Sequence, residues 1–145
     1  MKVKVKKLDA RATLPTYGSA QAAGADLYAL PSSPTVTIEA GETAMIGTGL
    51  ALEIPAGYVG LVYARSGLAT KKGLAPANKV GVIDSDYRGE IKVALYNQSG
   101  APQTIAAGER IAQLVIAPYL TASYEEAEAL SDSARGAGGF GSTGK

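Results

Sequence analysis

Short apolar stretches recur along the chain, separated by polar, glycine and proline positions, and the N-terminus alternates with a period of two. Lys2 to Lys6 reads Lys-Val-Lys-Val-Lys, which predicts a half-buried or edge strand. The apolar stretches predict strands at Val36-Thr37-Ile38, at 43–54 with a kink near Gly47 and Gly49, and at Tyr58 to Tyr63. Further strands are expected at Val80 to Ile83, Ile91 to Asn97, Gln103 to Ile105 and Arg110 to Ala117. Ala40-Gly41, Pro55-Ala56-Gly57 and Gln98-Ser99-Gly100 supply turns between them. Thr13 to Ala23 and Tyr124 to Leu130 read as loops. One short helix is expected from Ser66 to Lys72, stopped by Gly73. Strands about 8–12 residues apart, separated by Gly and Pro, predict an all-β sandwich or barrel. Eighteen glycines and a single helical stretch support that class.

Thr37-Ile38-Glu39-Ala40-Gly41-Glu42 is echoed by Thr104-Ile105-Ala106-Ala107-Gly108-Glu109. Two copies are too few for a solenoid. They are expected to be two similar hairpins at comparable points of a double-sheet roll.

From Ser131 onward the pattern stops. The last 15 residues hold five glycines and a single large apolar side chain, Phe140, the only phenylalanine of the chain. Such a stretch cannot bury enough to order itself, so a β domain over 1–130 and a flexible arm over 131–145 are expected. A plain linker needs neither Phe140 nor Arg135.

Composition narrows the chemistry. The 145 residues suit one domain, and no apolar run approaches the roughly 18 residues of a membrane span. The N-terminus shows no apolar signal core, and there is no cysteine, which fits a cytoplasmic protein. A net charge of +1 argues against broad nucleic-acid binding. Histidine is absent too, which removes the commonest general base and the usual zinc and copper sites. An enzyme of this composition would rest proton transfer on a carboxylate. Magnesium is its natural metal, needing only oxygen ligands.

Val80 to Ile83 and Ile91 to Leu95 flank Asp84-Ser85-Asp86-Tyr87-Arg88-Gly89, which predicts a hairpin whose connection carries reactive groups. The bland reading is a solvated turn. An EF-hand match at Asp84, Asp86 and Gly89 fails, because Leu95 stands where a bidentate Glu is needed and the flanks are strands. Arg65-Ser66-Gly67 at a helix start is a candidate phosphate site; the bland reading is a cap and a surface arginine. Gly136 to Gly141 matches G-x-G-x-x-G, but no βαβ unit surrounds it. Gly139 to Lys145 matches the start of a phosphate loop without its following Ser/Thr and helix.

Five stretches together resemble the trimeric dUTPases (deoxyuridine triphosphate nucleotidohydrolases). They are Ala23-Gly24-Ala25-Asp26-Leu27; Ala64-Arg65-Ser66-Gly67-Leu68; Asn78 with Gly81 through Gly89; Gly108-Glu109-Arg110-Ile111-Ala112-Gln113; and Arg135-Gly136 through Gly141-Ser142. They span nearly the whole chain, in order. Ala64 departs from the family's frequent proline, which should change loop stiffness and not chemistry.

The resemblance implies a jelly-roll-like homotrimer with active sites shared between subunits and a glycine-rich C-terminal arm. It implies magnesium-assisted hydrolysis of dUTP to dUMP and pyrophosphate, limiting uracil in DNA and supplying dUMP for dTMP synthesis. Asp84 would activate the water. Tyr87 would lie against the deoxyribose and reject a 2′-hydroxyl. Asn78, Gly81, Val82 and Ile83 would read uracil, with Lys92 beside them. Arg65, Ser66, Gly67 and Gln113 would hold phosphates. Asp26 would support them by pairing an arginine or a magnesium-bound water. Arg135, Phe140, Gly141 and Ser142 would close over the nucleotide, with Phe140 on the base and Arg135 at the γ-phosphate. Magnesium would be held mainly by the triphosphate, without direct protein ligands. The alternatives are a dCTP deaminase, with Glu90 as proton shuttle, and a non-catalytic nucleotide-binding module.

Overall fold

The structure, a computed structural model, describes residues 1–141. Among them are eleven strands and one helix: β1 (Lys4–Lys7), β2 (Thr16–Tyr17), β3 (Ala25–Tyr28), β4 (Thr35–Ile38), β5 (Thr43–Glu53), β6 (Tyr58–Tyr63), α1 (Ser66–Lys72), β7 (Leu74–Pro76), β8 (Val80–Ile83), β9 (Glu90–Asn97), β10 (Gln103–Ala106) and β11 (Arg110–Pro118). They form a sheet of order β1-β5-β9-β7, a sheet of order β2-β3-β11-β6-β8 and the small pair β10-β4, all antiparallel. The class is the expected all-β, jelly-roll-like one.

Period two sets the core. In β9 every second residue, Ile91, Val93, Leu95 and Asn97, is buried. These pack with Leu27, Ile46, Leu52, Val62, Ile111 and Leu114 from both sheets. Asn97, the polar member of that row, is fully satisfied. Its Nδ2 donates to the carbonyls of Ile38 (2.9 Å) and Ala101 (2.8 Å), and its Oδ1 accepts from the N–H (2.9 Å) and hydroxyl (2.7 Å) of Ser99.

Three strands escape the periodicity. β3 is buried at three successive positions, so it shows no alternation. β7 contains Pro76, which an edge strand tolerates. β2 has only two residues.

The predicted hairpin around Asp84 is not one. β8 pairs with β6 in the five-stranded sheet, and β9 pairs with β5 and β7 in the other. The connection from Asp84 to Gly89 crosses between the two sheets. Facing sheets lie only about 10 Å apart, within reach of six residues, and periodicity cannot say whether successive strands pair.

The echoed stretches are not hairpins either. β4 pairs with β10, with Thr37 opposite Thr104 and their hydroxyls 3.2 Å apart. Each then turns through a left-handed glycine, Gly41 (φ 78°) or Gly108 (φ 83°), into a different sheet.

The expected kink in β5 is a break in its ladder with β9. Gly47 stands opposite Lys92, but Ala51 stands opposite Glu90. The freed groups find other partners. The Thr48 hydroxyl donates to the Ile91 carbonyl (2.7 Å), and the Gly49 N–H donates to the Glu90 carboxylate (2.9 Å).

Candidate active site

Two clusters of predicted residues form, one along β8 and the crossover that follows it and one beyond the end of β6. The first is a cleft of about 360 Å³ at the crossover between the sheets. Asn78, Gly81, Val82, Ile83, Asp84, Tyr87 and Lys92 line it, with Glu90, Met45 and Val62. β8 is an edge strand, so one side of its backbone has no strand partner among the described residues. That leaves donors and acceptors available for a planar ligand. Gly81 permits close packing there, since a Cβ on it would come within 3.2 Å of Val62 Cβ. The turn into β8 is tight: the Lys79 N–H donates to the Pro76 carbonyl (3.0 Å), and Lys79 takes the left-handed conformation at φ 65°.

Asp84 is exposed and makes no side-chain hydrogen bond or ion pair among the described residues. Its carbonyl accepts from the Tyr87 N–H (3.1 Å), closing a four-residue turn. Arg88 braces that turn by donating to the carbonyls of Ser85 (2.7 Å) and Tyr87 (3.1 Å). The Tyr87 hydroxyl donates to the Glu90 carbonyl (3.1 Å). The loop is thus held by its own hydrogen bonds while the Asp84 carboxylate stays free.

The second cluster surrounds a cavity of about 180 Å³ lined by Gly18, Ala22, Gly24, Asp26, Arg65, Ser66, Gly67 and Gln113. The Asp26 carboxylate accepts from Arg65 Nε (2.7 Å) and Arg110 Nη1 (3.3 Å). Both its oxygens are engaged by arginines, Oδ1 by Arg65 and Oδ2 by Arg110. Gln113 donates to the Ala64 carbonyl (2.9 Å) and occupies the space that Gly24 leaves. The cap of α1 is Arg65, in extended conformation, and Ser66 is the first helical residue. The serine hydroxyl is therefore not spent on capping. Sequence reasoning did not single out Arg110; its place three residues before Gln113 in a matched motif was the available signal.

Strand register separates Asp84 from Arg65 within one chain. Val80 faces Tyr63 and Ile83 faces Gly60, so β6 runs toward Arg65 as β8 runs toward Asp84. Counting along the strands places Arg65 and Asp84 roughly 20 Å apart.

Arg135, Phe140 and Gly141 line neither cluster. After Pro118 the described residues hold no helix or strand. Arg135 Nε donates to the Gly138 carbonyl (2.8 Å), and Phe140 is fully exposed. Ser142 lies outside the described residues. No group of three His, Cys, Asp or Glu side chains that could hold a metal occurs among the described residues. None of their helices is long and apolar enough to cross a membrane.

A family model described as dUTPase matches residues 10–144. The deoxyuridine 5′-triphosphate nucleotidohydrolase of Nautilia profundicola is 54% identical over 145 residues, covering 100% of both chains. Among solved structures, a mutant dUTPase of Staphylococcus bacteriophage 80alpha with dUpNHpp superposes with a TM-score of 0.90, at 32% identity and covering 99% of each chain. A mutant dUTPase from phage phi11 of S. aureus, solved with the coordination of a structural Mg(II) ion, gives a TM-score of 0.80 at 28% identity, covering 89% of this chain and 98% of that one.

Proposed function

The chain belongs to the dUTPase family, and from that premise we propose how its residues divide the work of hydrolysing dUTP to dUMP and pyrophosphate. The observation that carries the proposal is the free Asp84 carboxylate in a cleft walled by the open edge of β8 and by Tyr87. Asp84 takes a proton from water as the water oxygen bonds to the α-phosphorus. The bond from that phosphorus to the bridging oxygen breaks, and pyrophosphate leaves. With neither histidine nor cysteine in the chain, a carboxylate is the fitting base.

Uracil is read by the backbone of Gly81 to Ile83 and by Asn78, with Lys92 on the facing strand. A fixed backbone edge pairs with uracil O4 and N3–H. Cytosine reverses both groups and leaves buried partners unpaired, which a polar site rejects strongly. Tyr87 lies where a ribose 2′-hydroxyl would fall. Arg65, Ser66, Gly67 and Gln113 hold the phosphates, with Asp26 fixing Arg65.

The separation of roughly 20 Å between Arg65 and Asp84 exceeds the span of a triphosphate, which favours sites shared between subunits of a homotrimer. The arm over 131–145 then closes on the nucleotide, with Phe140 on the base, Arg135 at the γ-phosphate and Gly141 and Ser142 beside them. The donor set suits magnesium held through substrate oxygens near Asp84, where it would neutralise phosphate charge when bound. A cysteine-free chain of this kind is read as cytoplasmic.

The deaminase reading needs a free glutamate at the base. Glu90 lines the cleft, but its Oε1 accepts the Gly49 N–H and its Oε2 lies 3.5 Å from Lys92 Nζ. Pyrophosphate release from dUTP, dCTP, dTTP and UTP with magnesium tests the proposal, alongside ammonia release from dCTP. Pyrophosphate from dUTP alone is expected. Similar rates on all four would sink the base and sugar readings. A fully active monomer, by mass in solution, would sink the shared site.

A further inference from the structure

Gly89 lies between Tyr87 and the strand that follows. Its φ is not in the left-handed region, so its backbone suits an alanine. Space is what excludes a side chain there. A Cβ on Gly89 would lie 2.5 Å from Tyr87 Cζ and 2.9 Å from Cε2, and would also collide with the hydroxyl. The tyrosine ring is therefore folded back onto its own chain, over a glycine, with its hydroxyl tied to the Glu90 carbonyl at 3.1 Å.

Glu90 is itself anchored. Its carboxylate accepts the Gly49 N–H (2.9 Å) across the break in the β5–β9 ladder. Gly47 leaves the room for this, since a Cβ there would lie 2.5 Å from Glu90 Oε1. Lys92 Nζ, at 3.5 Å, neutralises the second oxygen. A continuous set of contacts thus runs from the β5 break through Glu90 to the Tyr87 ring.

We infer that Gly89 and Glu90 are positioning residues that set sugar specificity, by holding the Tyr87 ring where it excludes a 2′-hydroxyl. The inference rests on the reading of Tyr87 given above. Tyr87 is 47% exposed and sits on a loop. A ring so placed can swing aside and admit one extra oxygen unless something fixes it. The glycine supplies a flat seat, and the Glu90 carbonyl stops the ring's free end.

The test compares kcat/KM for dUTP and for UTP in Gly89→Ala, Glu90→Ala, Glu90→Gln and Tyr87→Ala. Loss of fold or of catalysis lowers both values together and leaves their ratio unchanged. Gly89→Ala and Glu90→Ala are expected to lower the dUTP-to-UTP ratio on the order of tenfold. Glu90→Gln keeps an acceptor for the Gly49 N–H and is expected to retain most of the ratio. Tyr87→Ala separates the two levels of the argument. If it leaves the ratio unchanged, the sugar wall itself is wrong and this inference falls with it. If it collapses the ratio while Gly89→Ala or Glu90→Ala preserves it, the wall stands and the positioning role of that residue is overturned.

Discussion

The Arg65 guanidinium donates to the Asp26 carboxylate across 2.7 Å, tying the loop ahead of α1 to the middle of β3. Both side chains are largely buried, at 26% and 13% exposure, and Arg110 completes the arrangement at 3.3 Å. Asp26→Ala leaves two arginine heads without their acceptor. It is expected to cost about 2 kcal/mol of stability, measured by urea denaturation. Arg65 also loses its aim, so KM for dUTP should rise on the order of tenfold with a smaller change in kcat. An unchanged KM would detach Arg65 from phosphate binding.

Asp84 has no partner to lose among the described residues, so Asp84→Asn should leave stability within about 0.5 kcal/mol of wild type. Removing a general base typically costs about 10²–10⁴-fold, and the loss should fall on kcat for dUTP. Full turnover by the amide variant would end the base assignment.

The arm makes no hydrogen bond to the β domain within residues 131–141. Deleting the chain after Ser133 should therefore shift Tm by less than about 2 °C. Under the proposed closure over the nucleotide it should also lower kcat by about 100-fold. Unchanged turnover in the truncated protein would remove the arm from catalysis.

Asn97 marks where stability and activity part. Asn97→Ala removes the side-chain donor of the buried Ile38 carbonyl and the half-buried bonds to Ala101 and Ser99, and empties a fully buried site, at an expected cost of about 2 kcal/mol. Denaturant midpoints measure it. The dUTPase activity of the protein that remains folded should be close to wild type, because Asn97 lines neither cluster.

The Arg11 side chain, hydrogen-bonded to Asp9, holds that carboxyl at about 2. Its folded value is below its unfolded one. The resulting stabilisation is present above about pH 4 and is lost as pH falls from there through about 2. The Asp9 side chain is 34% exposed and that of Arg11 69%, so salt should weaken the effect. Carboxyl NMR titration should give a midpoint near 2 in wild type and a higher one in Arg11→Ala, which loses the guanidinium and keeps only the backbone N–H bond at position 11.

Much of this was legible in the chain. Apolar stretches bounded by glycine and proline breaks located eight of the strands, and in β9 alternation marked the inward row, because that strand shows one face to the core and one outward. Ser66 to Lys72 was legible as a helix because Gly73 ends it in a left-handed conformation, φ 66°. β3 was hidden because three of its four residues are buried. Arg110 was passed over because a charged residue at a strand start looks like solvated surface until Asp26 is seen across the ladder.

The residues alone determined the available chemistry. Lacking His and Cys, the chain left proton transfer to a carboxylate, and five ordered motifs named the family. Only the tertiary structure decided what surrounds that carboxylate. Val80 to Ile83 and Ile91 to Asn97 look like partners in one hairpin, yet they belong to different sheets. Side-chain periodicity records which face is buried, and strand pairing depends on backbone hydrogen bonds that every residue can make. The crossover opens a cleft at Asp84, leaves the β8 edge free and folds Tyr87 onto Gly89. It also leaves Arg65 roughly 20 Å from Asp84, the separation on which the proposed sharing of sites between subunits rests.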